Sequence, residues 1–359
     1  MIITLIMHYQ DGVAEHAVPD DQCRRRAAEM TALVTANAGA QVEADVLARL
    51  ARYSELARGA HSPNTIAAVR SDTEIFSAWC RKMGVTPLPA DPSTVAAFVD
   101  AMGQGRAPAT VRRYVSSIAH LHRAAELPNP AAAAAVKMSL KRLHREKGRA
   151  QAQAAPLNRG TPQVPGLVDA MIANAGEGVR ALRNRALLAV AYDSLCRRSE
   201  LVALTCADLS IGPAGDGTII VRRSKTDQEG EGAVRYIAGD TVRHVSAWLE
   251  ASGVSEGPLF RTVRKAGRIG GAMHPGDVAR IYKELAVGAG VSAEAASRIS
   301  GHSTRVGAAQ DMVGSERIEM PAIMQAGGWK TPVMVARYAA HLSAKRSGAA
   351  KLAVLQNRG

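Results

Sequence analysis

Residues 301–338 read GHSTRVGAAQDMVGSERIEMPAIMQAGGWKTPVMVARY. His302 and Arg305 stand three residues apart in a stretch with helical spacing, so their side chains leave one face and can meet a common oxyanion. Downstream, Gly327 and Gly328 interrupt the pattern just before Trp329, and a short helix then carries Tyr338. One segment thus offers a proton carrier that titrates near neutrality, a permanent cation, an indole donor and a phenol. That inventory suits a phosphodiester.

Upstream of this segment the spacing of apolar residues predicts helices over 167–173, 179–195 and 198–207, then around Val242 to Leu249 and Val278 to Leu285. Between them residues 209–211, 218–223 and 233–238 read as strands, the last two joined by SKTDQEGEG, which carries Lys225 near its tip. The glycine-rich, basic residues 267–274 lead into the last of these helices. There His274, Asp277 and Arg280 recur at three-residue spacing at a helix start, the posture of a major-groove reader. A plain surface helix is the alternative.

The first half of the chain is helical. Residues 1–44 lack sustained periodicity and read as a flexible arm. Val46, Leu47, Leu50, Tyr53 and Leu56 then recur at helical spacing. Ser62-Pro63, Asp91-Pro92 and Asn129-Pro130 each put proline just inside a capping residue and open three more helices, while Thr110 opens another through Tyr114 and Ile118. Residues 45–147 are therefore expected to form a helical bundle. Lys137, Lys141 and Arg145 make a basic stripe, Arg112 and Arg113 stand near a helix start, and Asn64 and Arg70 lie on the second helix. All seven are assigned to DNA contact, with a solvated charged face as the alternative. Residues 148–165, GRAQAQAAPLNRGTPQVP, have no period and read as an interdomain linker. Residues 166–342 make a second, mostly helical domain with a small antiparallel sheet, and residues 343–359 a terminal helix with an apolar stripe. The fold class is mainly α.

Composition narrows the partners. Lys and Arg total 45 against 32 Asp and Glu, a formal charge of +13, which favours a polyanion because each neutralised phosphate releases counterions. Cys23, Cys80, Cys196 and Cys206 show neither C-x-x-C spacing nor a disulfide framework, and imply a reducing compartment. The opening MIITLIM lacks a basic lead and a cleavage site, and no stretch approaches the ~20 apolar residues of a membrane span. A cytoplasmic, nucleoid-associated protein is expected. His120 and His122 lack Cys or carboxylate partners in a ligand pattern, and no P-loop signature occurs, so no metal and no cofactor are expected.

A His-x-x-Arg pair followed at this distance by Gly-Gly-Trp and then Tyr resembles the catalytic core of the tyrosine recombinases, also called the phage-integrase family. GHSTRVGAAQDM and IMQAGGWK carry the likeness, which runs from about Ser62 to the C-terminus and is dense from Arg197 onward. Many members have His where Trp329 stands, so the tryptophan points to one branch. The resemblance implies a site-specific recombinase that cleaves and rejoins DNA through a 3′-phosphotyrosine on Tyr338. Such chemistry needs the nucleophile placed in line and charge neutralised on the phosphate oxygens.

Arg305 and, by the resemblance, Arg197 suit that task, because guanidinium groups stay charged and can grip two oxygens. The acidic residue of the same motif falls on Glu200, which would orient a basic neighbour. Lys225 stands where the family carries its general acid for the leaving 5′-oxygen. His302 would accept the phenol proton or donate to a non-bridging oxygen, and Trp329 would donate one hydrogen bond and pack. Arg198, about 100° around a helix from Arg197, is assigned to the DNA backbone. The implied partner is double-stranded DNA with an inverted-repeat site. A free monomer would assemble on it as a homotetramer by passing the terminal helix to a neighbour. A type IB topoisomerase-like enzyme, a telomere-resolving enzyme and an inactive architectural DNA-binding protein stay open as alternatives.

Overall fold

Helix starts earlier than the apolar repeat at Val46: α1 spans Ala38–Leu56 and takes in the end of the stretch read as an arm. The structure is a computed structural model that describes residues 38–148, 153–161, 163–222, 232–315, 317–345 and 347–358. The chain divides between Gln151 and Ala152 into two compact units.

In the first unit, the Ser62 hydroxyl accepts from Thr65 N and starts α2, Pro63–Met83, and Asp91 accepts from Ser93 N and starts α3, Pro92–Gly105. Helix α4, Pro108–Ala124, begins at its proline rather than at Thr110. Asn129 caps only a 3-10 turn, Pro130–Ala132, and α5, Ala134–Lys147, follows without a side-chain cap. The core gathers Phe76, Phe98, Val111, Ile118, Val136 and Leu143. Within it the Phe98 ring meets Phe76 edge-on at 5.0 Å and Trp79 at 5.4 Å. His122 is a core residue: Nε2 accepts from Ala90 N at 2.9 Å and Nδ1 donates to Ile118 O at 2.8 Å. Burial pushes its pKa down, so the ring packs neutral.

The second unit begins with an extended strap rather than a free linker. Ala155 N donates to Arg298 O and Leu157 N to Ser303 O, both at 3.0 Å, and Leu157 is buried in the core. Residues 153–161 and 163–165, read from sequence as part of the linker, are therefore tied into this unit by backbone hydrogen bonds, which leave no periodic trace in the side chains. Helices α6, Leu167–Ala173, and α7, Val179–Ser194, follow; α7 is buried along most of its length and forms the axis of the core. After α8, Arg198–Ala203, strands β1, Leu209–Ile211, β2, Gly217–Val221, and β3, Ala233–Ile237, form one antiparallel sheet. Its register pairs Leu209 with Ile219 and Ile219 with Arg235.

Helix α9, Gly239–Ser252, is followed by a second sheet that the sequence reading missed, β4, Arg261–Val263, against β5, Ile269–Ala272. Two glycines and short strands erase the alternation that would have announced it. The remaining helices are α10, Pro275–Gly288, α11, Ala293–Ser297, α12, Ser303–Gly314, α13, Met320–Gly327, α14, Pro332–Lys345, and α15, Gly348–Leu355. The strap crosses α12 at Gly307, where a Cβ would stand 1.9 Å from Leu157 O. That approach explains a glycine inside a helix. The crossing is locked by Asp311, which accepts from Asn158 Nδ2 at 2.7 Å, from Arg159 N at 2.9 Å and from the Tyr192 hydroxyl.

Candidate active site

Helix α7 stops at Ser194, and the next residue, Leu195, takes φ 52 and ψ 25. A side chain with a Cβ rarely adopts this left-handed conformation. Its carbonyl accepts from Arg305 Nη1. Two residues on, Arg197 is extended and caps α8, with Glu200 holding it twice: Oε2 accepts from Arg197 N at 2.8 Å and Oε1 from Arg197 Nη1 at 2.7 Å. Glu200 is buried, so this pair is shielded from water and its geometry is firm.

His302 lies just before α12 as its N-cap, with φ −106 and ψ −6, rather than inside a helix as its spacing from Arg305 suggested. Arg305 is 2% exposed and ties two chain reversals together, donating Nη1 to Leu195 O and Nη2 to Gly327 O at 2.6 Å. The turn after α13 is tight: Gly328 has φ 61, and a Cβ there would come 2.4 Å from Arg235 Nη2. Arg235 reaches it from β3 and also donates to Gln325 O. Trp329 is thereby laid against Arg305, whose guanidinium carbon lies 4.6 Å from the ring centroid.

Helix α14 then brings Tyr338 between two rings. Its centroid is 5.3 Å from that of Trp329 and 5.5 Å from that of His302, and His302 Nε2 lies 2.9 Å from the Tyr338 hydroxyl. Burial first, then Arg305 and Arg197, push the His302 pKa down to about 4, with Glu200 opposing. The imidazole is neutral near pH 7 and can accept the phenol proton. Arg305 is lowered too, chiefly by burial, and stays charged because a guanidinium does not deprotonate in proteins. Two donors in this pocket, Arg305 Nε and Trp329 Nε1, are buried and have no hydrogen-bond partner among the described residues. Each such orphan costs about 1–3 kcal/mol, which an arriving anion relieves.

The structure thus brings Arg197, Glu200, His302, Arg305, Trp329 and Tyr338 into one pocket. Lys225 lies outside the described residues, in the segment between β2 and β3. Among the residues assigned to DNA contact, Asn64, Arg112, Lys137, Lys141, Arg145 and Arg198 are exposed, and Arg70 is partly buried. Arg113, whose side chain is 48% exposed, pairs at 2.8 Å with Asp72, a fully buried carboxylate. His274 and Asp277 form the cap of α10: His274 Nδ1 accepts from Gly276 N at 3.1 Å and Asp277 Oδ2 from His274 N at 3.2 Å. Arg280 pairs with Asp277 at 3.0 Å and Glu284 at 2.8 Å. The three-residue spacing here carries a cap and a helical ion pair, and the Arg280 side chain is still 60% exposed.

Sequence reasoning missed Arg235 and Leu195. For Arg235 a signal exists in the strand AVRYI: Val234 and Tyr236 are each 59% exposed while the arginine alternates with them toward the inner face. An arginine on the inward register of a small sheet has been placed there for a partner. Leu195 offers no signal, since nothing in its side chain announces a left-handed backbone.

The phage integrase family model matches residues 163–345. The chain is 28% identical to the Cre recombinase of Escherichia phage P1 over 315 residues, which cover 82% of this chain and 89% of that protein. It is 31% identical to an integrase/recombinase XerD homolog of Selenomonas ruminantium over 285 residues, 77% of this chain and 81% of that one. Among solved structures, the XerH site-specific recombinase bound to palindromic difH substrate in a post-cleavage complex has the same fold. Its TM-score is 0.60 at 15% identity, over 97% of this chain and 94% of that one.

Proposed function

We propose, from the premise that this chain belongs to the phage integrase family and is a tyrosine site-specific recombinase, that Tyr338 is its nucleophile and Arg197, His302, Arg305 and Trp329 hold the phosphate it attacks. The observation that carries the assignment is the pair of orphaned buried donors, Arg305 Nε and Trp329 Nε1, beside a phenol already hydrogen-bonded to a neutral imidazole. In the cleavage step the Tyr338 oxygen attacks phosphorus and His302 Nε2 takes its proton. A tyrosine–phosphorus bond forms, the bond to the 5′-oxygen breaks, and Lys225 protonates the leaving oxygen. The phosphodiester is conserved as a 3′-phosphotyrosine, so a 5′-hydroxyl from another strand reverses the step without an energy source. Glu200 orients Arg197 and transfers no proton.

Strand exchange between two duplexes needs several tyrosines in one assembly. On α15, Leu352 is 49%, Val354 68% and Leu355 81% exposed, an apolar face left open among the described residues. This face suits docking into a neighbouring copy, and head-to-tail passing of the helix closes into a ring. Four copies on inverted repeats place one tyrosine at each exchanged strand. No helix among the described residues is long and apolar enough to cross a membrane. Action on chromosomal or phage DNA in the cytoplasm completes the proposal.

A library of duplexes with randomised inverted repeats around a short spacer tests it. The protein is incubated with the library, denatured, and the DNA that stays covalently attached is sequenced. Enrichment of one inverted repeat by the wild-type chain and none by Tyr338→Phe is expected. Equal covalent recovery by the two proteins would overturn the assignment.

A further inference from the structure

The helix that carries Tyr338 breaks one residue later. Ala339, inside α14, has φ −130 and ψ 30. Carbonyls next to such a break take partners from outside the helix. Gln310 Nε2 donates to Tyr338 O at 3.0 Å, and Gln153 Nε2 donates to the same oxygen at 3.2 Å and to Arg337 O at 3.2 Å. Gln310 is 8% exposed and lies on α12, the helix that His302 precedes as N-cap and whose first turn holds Arg305. Gln153 is exposed on the strap, two residues before Ala155, which is bonded to Arg298. The backbone of the nucleophile is therefore gripped by the element that presents the phosphate-binding arginine.

We propose that Gln310 is a positioning residue for Tyr338, fixing the reach of the phenol toward a phosphate held by Arg305, and that Gln153 latches the same carbonyl from the strap. This rests on Tyr338 being the nucleophile. A tyrosine side chain has few rotamers, so where its oxygen stands follows from where its backbone is held. An in-line attack is intolerant of displacement, and about 1 Å of misplacement costs on the order of a hundredfold in rate. A buried amide that ties the Tyr338 carbonyl to α12 couples nucleophile and phosphate pocket through one short link, and the exposed Gln153 adds a weaker second hold. Neither glutamine touches the reacting atoms.

The test uses the full chain and a nicked duplex carrying the inverted repeat recovered by covalent capture. Single-turnover adduct formation, duplex affinity and thermal midpoint are measured for Gln310→Leu, Gln310→Glu and Gln153→Ala. Loss of one hydrogen bond to a carbonyl predicts a roughly tenfold slower adduct for Gln310→Leu and about two- to threefold for Gln153→Ala, with affinity unchanged and the thermal midpoint lowered by no more than about 4 °C. Gln310→Glu is as slow as the leucine variant at about pH 8 and recovers relative to wild type as pH falls, because a protonated carboxyl regains a donor. Taking the ratio to wild type at each pH cancels the contribution of every ionisable group that variant and wild type share, including His302 and the neighbours of Gln310 on α12, α7 and α14.

A packing role for Gln310 predicts no difference in pH profile between the Leu and Glu variants, and that result overturns the proposal. So does a rate for Gln310→Leu within about twofold of wild type, or a loss matched by a fall in affinity or by a thermal midpoint lowered by more than about 4 °C. Gln153→Ala lies at the surface and folds regardless, so an unchanged rate in it overturns the latch even where a Gln310 variant fails to fold. An absent adduct with the wild-type chain on the same duplex sinks the nucleophile assignment, and the proposal with it.

Discussion

A phenol ionises near pH 10 in water and needs a proton acceptor to attack at neutral pH. His302 qualifies because burial and two guanidinium groups hold it neutral, with its pKa at about 4. In the free protein, histidine-selective NMR is expected to show His302 neutral down to about pH 5, and Arg197→Ala should move its midpoint up by removing one repelling cation. A midpoint above about 7.5 in the wild type, which would leave the ring charged at neutral pH, would contradict the acceptor role. Trp329 contributes both an orphaned N–H and a ring beside Tyr338. Trp329→Phe keeps most of the ring and should slow cleavage about tenfold or more through the lost donor, with Trp329→Ala slower again as Tyr338 loses its neighbour. Equal rates for Phe and wild type would remove the indole N–H from the chemistry. At this scale His302, Arg305, Trp329 and Tyr338 stood out by their order and spacing, because chemistry demands particular residue types, whereas Arg197 and Glu200 were reached only through the family resemblance. Leu195 and Arg235 were not legible, since a turned carbonyl and an inward register are properties of the backbone.

Elements matter here through where they cross. The strap reaches α12 at Gly307, with Leu157 O where a Cβ would stand 1.9 Å away. Gly307→Ala must push the strap or the helix aside, and is expected to destabilise the second unit by about 1–3 kcal/mol and to slow cleavage through the displaced Arg305. A calorimetric scan that finds the variant as stable as wild type would show the crossing to be slack. The sequence reading took residues 153–165 for a linker because backbone-to-backbone bonding and one buried leucine generate no period. The helices, by contrast, were readable from proline and cap, as at Ser62 and Asp91, and erred where proline opened only a 3-10 turn at Pro130. The second sheet escaped notice because Gly270 and Gly271 occupy half of a four-residue strand.

For the whole molecule, a net charge of +13 on 359 residues fits a DNA partner, and the family gives that charge its use. Its distribution was only partly legible, since Arg113 and Arg280 pair with neighbouring carboxylates that spacing alone did not reveal. In the proposed assembly the exposed apolar face of α15 is the part that docks into a neighbouring copy. A chain ended after Ala344 is expected to bind one half-site as well as wild type and to lose cooperative filling of the full site and recombination. Undiminished cooperativity in gel shifts of that truncation would exclude helix exchange. The central claim is that DNA becomes bonded to Tyr338, and proteolysis of the captured covalent complex followed by mass mapping of the nucleotide-bearing peptide tests it most directly. The account predicts the nucleotide on Tyr338 within the α14 peptide; a nucleotide on any other residue would contradict it.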